Sequence, residues 1–197
     1  MSDSKLEFKL DPKSTAIVVI DLQKGIAALP GAPLPMATVI ANTARMLAAA
    51  RQVVAQPVLV HVGTSPDGAD RLNPAADQQP RTTGPMPPDW SQLLPDLGNQ
   101  PSDIVILKRQ WGAFYGTDLE LQLRRRALTT VVLCGVATEF GVESTARNAY
   151  ELGYQLVFAS DAMTGMHPDS HTNSVERIFP RIGRVRTTDQ VIAALQP

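Results

Sequence analysis

Three residues at the ends of apolar segments carry chemistry that their surroundings make unusual. Asp21 closes TAIVVID (Thr15 to Asp21), directly after five apolar residues. A carboxyl at the end of a buried segment loses hydration, and lost hydration raises its pKa toward that of a proton donor. Lys108 closes DIVILK (Asp103 to Lys108) in the same way. An ammonium close to Asp21 would pull the carboxyl pKa back down, so burial and Lys108 act on it in opposite directions. Gly141 lies in GVATEFGV, in the first turn of a predicted helix (Glu139 to Leu152) that follows the apolar run Thr130 to Val136. A helix start offers backbone N–H groups to an anion.

These residues meet only if their segments are neighbours in one sheet. Apolar, β-branched runs at Thr15 to Asp21, Pro57 to Val62, Asp103 to Lys108, Thr130 to Val136 and Tyr154 to Ser160 read as strands. A short strand is expected near Gly183 to Arg186. Helical patterns separate them at Met36 to Ala55, Thr117 to Leu128, Glu139 to Leu152, Ser170 to Phe179 and Asp189 to Leu195, with Gly153 as a C-cap. Strands apolar on both faces and alternating with helices predict a three-layer α/β/α fold with a central, mostly parallel six-stranded sheet. Ligands of such sheets bind at the carboxyl ends of the strands, near the switch point. Asp21, Lys108 and Gly141 would converge there. The segment Gly63 to Ser102 breaks the compact pattern and holds eight of the sixteen prolines. A loop of that length inside a domain reads as a lid or binding loop. Trp90 to Leu94 is expected to form a short helix within it.

Composition bounds the class. The 197 residues are 44% hydrophobic and 19% charged, enough for one domain (1–197) with a real core. A net charge of -1 gives no electrostatic case for nucleic acid or an anionic membrane. No apolar run is long enough to span a bilayer, and the polar start reads as no signal peptide, so the expectation is cytoplasmic. One cysteine, Cys134, excludes an internal disulfide framework and reads as a buried core residue in its strand. The first strand leads into DLQKG rather than GxGxxG, so no dinucleotide cofactor is expected. HVGTSPDGAD, after His61, carries no clear ligand set, and no metal is expected. His167 and His171 read as surface residues.

The segment VVLCGVATEFGVESTARNAYELGYQLVFASDA (Val131 to Ala162) resembles the signature of the isochorismatase-like hydrolases, the superfamily of nicotinamidases and other cysteine amidohydrolases. VVIDLQ around Asp21 and KRQWGAFYGTDL from Lys108 resemble two further motifs of that superfamily, in the same order. The resemblance implies the isochorismatase-like hydrolase fold, a homo-oligomer and a small-molecule substrate. It implies Asp21, Lys108 and Gly141 at the positions of an Asp, Lys, Cys triad, with glycine where most relatives carry the nucleophile. Relatives with that glycine are the true isochorismatases, which hydrolyse a vinyl ether and release pyruvate. Such an ether is cleaved by protonating its terminal methylene carbon, which needs an acid and no covalent nucleophile; Asp21 would be that acid. Lys108 would tune Asp21 and bind substrate charge. The resemblance also implies a cis peptide between Val136 and Ala137, whose turn would hold an anion. GVATE looks more like the amidohydrolase branch. An amide-type substrate, or a catalytically inactive binding relative, therefore stays open beside isochorismate or an analogue.

Other residues have two readings each. Gln23 points into the pocket of Asp21 or serves as a helix-capping or loop polar residue. Arg81 clamps a carboxylate or is a solvated loop arginine. Arg109, Trp111 and Phe114 surround Lys108; the two rings wall a pocket for a substrate ring, or pack under the loop or at a subunit interface.

Overall fold

The computed structural model describes residues 8–78 and 86–196. Its centre is a sheet of six parallel strands in the order β3-β2-β1-β4-β5-β6. The strands are β1 (Thr15–Ile20), β2 (Gln56–Val62), β3 (Ile104–Lys108), β4 (Thr130–Val136), β5 (Gln155–Thr164) and β6 (Arg184–Arg186). Successive side chains of a strand face opposite ways. Ala16, Val18 and Ile20 enter one core layer, and Ile17 and Val19 the other. The first layer is closed by α3 (Leu119–Arg125), α4 (Glu143–Glu151) and α6 (Phe179–Ile182). The second is closed by α2 (Met36–Gln52) and α7 (Thr188–Leu195). The expected three-layer architecture is therefore the observed one.

The order of the strands reverses between β1 and β4, and their carboxyl ends flank the crevice this leaves. Close approach there depends on Gly135, which sits at φ +111° where β4 shifts register against β5. A Cβ at Gly135 would meet the carbonyl oxygen of Ile20, the residue before Asp21. Only glycine lets the two strand ends lie this close.

Several boundaries differ from the sequence reading. Asp21 lies one residue beyond β1, at φ +53°, in the left-handed region where Asp is better tolerated than bulkier residues. The helix expected from Glu139 starts instead with a π-helical turn, Thr138–Val142, before α4. Ser170 to Phe179 divides into α5 (Pro168–Asn173), a π-helical turn (Ser174–Ile178) and α6; Pro180 has no N–H to continue the ladder. Trp90 to Leu94 forms no helix. Its backbone bonds instead to the chain after β1, with Gly25 N–H on Trp90 O (2.9 Å) and Leu94 N–H on Leu22 O (3.1 Å). That pairing fixes one end of the proline-rich segment beside α1 (Lys24–Ala27).

Gly135→Ala forces a side chain into the Ile20 carbonyl at a left-handed φ. The expected loss is more than about 3 kcal/mol of stability, measured by urea unfolding.

Candidate active site

Lys108 and Asp21 come from strands that are not adjacent, with β2 between them. Strands are spaced about 4.8 Å apart, so the two backbones are roughly 10 Å apart and only a long side chain can span the gap. The Lys108 stem crosses the end of β2 and is 1% exposed. Its Nζ lies 2.8 Å from Asp21 Oδ2 and donates to Trp111 O at 2.5 Å. The left-handed turn at Asp21 and the bond from its N–H to Val60 O (2.9 Å) aim the carboxyl into the crevice.

Asp21 Oδ2 is engaged, but Oδ1 is buried with no hydrogen-bond partner among the described residues. Desolvation raises the Asp21 pKa from 3.8 to about 6, against the lowering charge and hydrogen bond of Lys108. Of the two opposed effects seen in the sequence, burial wins.

Gly141 stands beside this pair. A Cβ there would lie 3.2 Å from Lys108 Nζ, 3.3 Å from Asp21 Oδ2 and 2.9 Å from Ile20 Cγ2. The last distance means that any side chain would have to displace a methyl of a buried, β-branched residue. The turn is tied down from below. Thr145 Oγ1 donates to Gly141 O (2.7 Å) and accepts from Ala113 N–H (3.1 Å), linking it to the chain after Lys108. The Val136–Ala137 peptide is cis. Phe140 N–H and Val142 N–H both donate to Ala137 O, so neither is left for a ligand.

Asp21, Lys108 and Gly141 share a pocket of about 340 Å³, small for a ligand site. Val136, Ala137, Arg109 and Trp111 line it. The ring of Trp111 lies 4.8 Å from that of Phe140, and the two form an aromatic wall. Trp90 and Met86 of the proline-rich segment close another side. A larger hollow of about 920 Å³ opens beside it, lined by residues between 63 and 73 and between 86 and 91, but contains neither Asp21 nor Lys108. The smaller pocket is the one with chemistry.

Two expected pocket residues are placed elsewhere. The Gln23 amide is fully used as a clamp, bonding Val62 N–H and O and Trp90 O (2.7, 3.0 and 3.2 Å). It positions β2 and the proline-rich segment instead of meeting a ligand. Phe114 packs on the core, 5.8 Å from the ring of Tyr154. Arg81 lies outside the described residues. Cys134 is buried in β4 with its thiol pushed up to about 12 by burial, too high for a nucleophile. Ser144, the hydroxyl three residues beyond Gly141, packs against Gly112 and does not line the pocket. His171 is not at the surface. It is 7% exposed, and its Nδ1 meets Thr138 Oγ1 at 2.8 Å. Burial lowers its pKa, with Glu139 opposing. Glu139 Oε1 accepts from Met166 N–H (2.8 Å), which places Met166 on the pocket wall. Thr138, Glu139, Thr145 and His171 thus support the site; the pairings of Thr138 with His171, Glu139 with Met166 and Thr145 with Ala113 lie too far along the chain for sequence periodicity to reveal them.

The raised value has a sign. The folded state holds an extra proton between about 4 and about 6, so Asp21 contributes less to stability as pH rises through that window. Carboxyl-carbon NMR should show Asp21 titrating near 6 in the native protein. Both lowering influences come from Lys108, so Lys108→Met should move the midpoint higher. A midpoint near 4 in the native protein contradicts the desolvated carboxyl.

Residues 15–190 match the model of the isochorismatase domain. The chain is 51% identical over 188 residues to the isochorismatase family protein YecD of Escherichia coli O157:H7, across 95% of this chain and 99% of YecD. It is 35% identical over 188 residues to the ureidoacrylate amidohydrolase RutB of Methylobacterium radiotolerans, across 82% of this chain and 71% of RutB. An isochorismatase family protein from Burkholderia thailandensis has the same fold, with a TM-score of 0.91 and 46% identity over 96% of this chain and 98% of that one. The sheet and these matches agree: the chain belongs to the isochorismatase family of hydrolases.

Proposed function

We propose that this protein hydrolyses a small anionic metabolite, isochorismate or a close analogue, at an enolpyruvyl ether, with Asp21 as general acid and no covalent nucleophile. The carrying observation is the buried, unpartnered Oδ1 of Asp21, on a carboxyl with a pKa of about 6, beside a residue with no side chain. A proton donor on a pocket-lining residue, with no partner of its own among the described residues, suits an acid-catalysed reaction. Gly141, standing where most relatives carry cysteine, leaves room for the enolpyruvyl group.

In this mechanism Lys108 holds Oδ2 and thereby leaves the proton on Oδ1. Asp21 transfers it to the terminal methylene, and the carbon–carbon π pair forms the new C–H bond. The charge left on the ether oxygen and its neighbouring carbon is an oxocarbenium ion. Water adds to that carbon and returns a proton to the Asp21 carboxylate. The resulting hemiketal collapses to pyruvate and the alcohol. Lys108 stabilises the carboxylate that forms midway, and Trp111 and Phe140 wall the ring. The same reading takes residues 1–197 as one domain that works in the cytoplasm without metal or cofactor. It also takes the protein as a homo-oligomer, supported by the exposed Val105 and Leu107 on edge strand β3.

A second reading, hydrolysis of an amide-type substrate, is favoured by the identity with RutB and by the GVATE segment. It would need water to attack without a thiolate.

Purified protein should release pyruvate from isochorismate, and Asp21→Asn should lower the rate by about 10²- to 10⁴-fold. The rate should fall as pH rises above about 6, because the acid form of Asp21 is lost. No release, or release that survives Asp21→Asn, rejects the proposal in favour of the amide reading or a binding role.

A further inference from the structure

We infer that Arg109, oriented by Asp70, anchors a carboxylate of whatever ligand fills the Asp21 pocket; the inference rests on reading that pocket as the substrate site. Lys108 is poorly placed to bind an anionic ligand. Two of its N–H groups are spent, one on Asp21 Oδ2 and one on Trp111 O. An anion entering this pocket therefore needs another cation. Arg109 follows Lys108 directly at the end of β3 and lines the same pocket. Asp70 Oδ2 holds its Nε at 2.6 Å, which fixes one edge of the guanidinium. On the other side, Nη1 is buried and has no hydrogen-bond partner among the described residues.

A buried donor left unmade is costly, and few persist without a role. A guanidinium held on one edge and open on the other is pre-organised for a carboxylate, whose oxygens match its fork. The wall next to it is aromatic, from Trp111 and Phe140. The pocket thus joins an aromatic wall of two rings tilted by 46°, a fixed cation and a proton donor within about 340 Å³. The ligand class that satisfies all three is a small unsaturated or cyclic carboxylate. A neutral amide of the same shape would leave the arginine unmatched, and sites built for a polar group discriminate strongly against its absence.

Benzoate and benzamide separate these cases, since they differ mainly in charge. Trp90 and Trp111 line the pocket, so tryptophan fluorescence reads binding directly. Benzoate should bind the native protein saturably and at least tenfold more tightly than benzamide. Arg109→Gln should weaken benzoate at least tenfold and leave benzamide unchanged, while Arg109→Lys, which keeps the charge and loses the fork, should fall between. Circular dichroism checks that each variant is folded; the Arg109 side chain is 39% exposed. Equal affinity for the two probes, no saturable benzoate signal, or benzoate binding unchanged in Arg109→Gln overturns the anchor. The assay needs no turnover. Pyruvate release without carboxylate selectivity rejects the anchor alone, and carboxylate selectivity without pyruvate release rejects the acid-catalysis reading alone.

Discussion

The site depends on one buried ion pair that spans a strand. Asp21 and Lys108 meet at 2.8 Å across the end of β2, and neither is more than 7% exposed. Removing two charges from water costs several kcal/mol each, and their attraction repays this only with good geometry and further hydrogen bonds. Here the repayment is uneven. Lys108 is bonded by two oxygens, whereas Asp21 keeps one oxygen without a partner among the described residues. The pair therefore holds its shape while leaving the carboxyl ready to take a proton.

The surrounding elements serve that arrangement. Gly135 lets β4 approach the Ile20 carbonyl, which brings the turn at Gly141 against the pair. Ile20 then fills the space below Gly141 so closely that a side chain there meets its methyl. Glycine at 141 thus fits against the packed strand below it without displacing that methyl. Thr145 ties this turn to Ala113, and Gln23 ties β2 to the proline-rich segment, so the pocket walls hang from the same strand ends as the charged pair.

Much of this was legible in the sequence. The β4 bounds are those of the apolar run, because a strand buried on both faces announces itself by composition. Asp21 and Lys108 stood out because a charge at the end of such a run has no other reason to be there. Gly141 was different: no periodicity marks it, and only its motif drew attention to it. Side-chain direction outside regular elements was not legible. Phe114 turned to the core and Gln23 to the backbone because tertiary partners, not spacing, orient residues in loops. The pairing of Thr138 with His171 crosses 33 residues, beyond any local pattern. The π-helical turns were missed for a related reason, since their extra residue per turn is set by packing and not by propensity.

The central claim is that Asp21 puts a proton on carbon. Running the reaction with isochorismate in D₂O and weighing the pyruvate tests it most directly. The account predicts one deuterium in the methyl group and a rate several-fold slower than in H₂O, because proton transfer to carbon forms the transition state. Pyruvate formed with no deuterium in its methyl group, or at the same rate in both solvents, would contradict it.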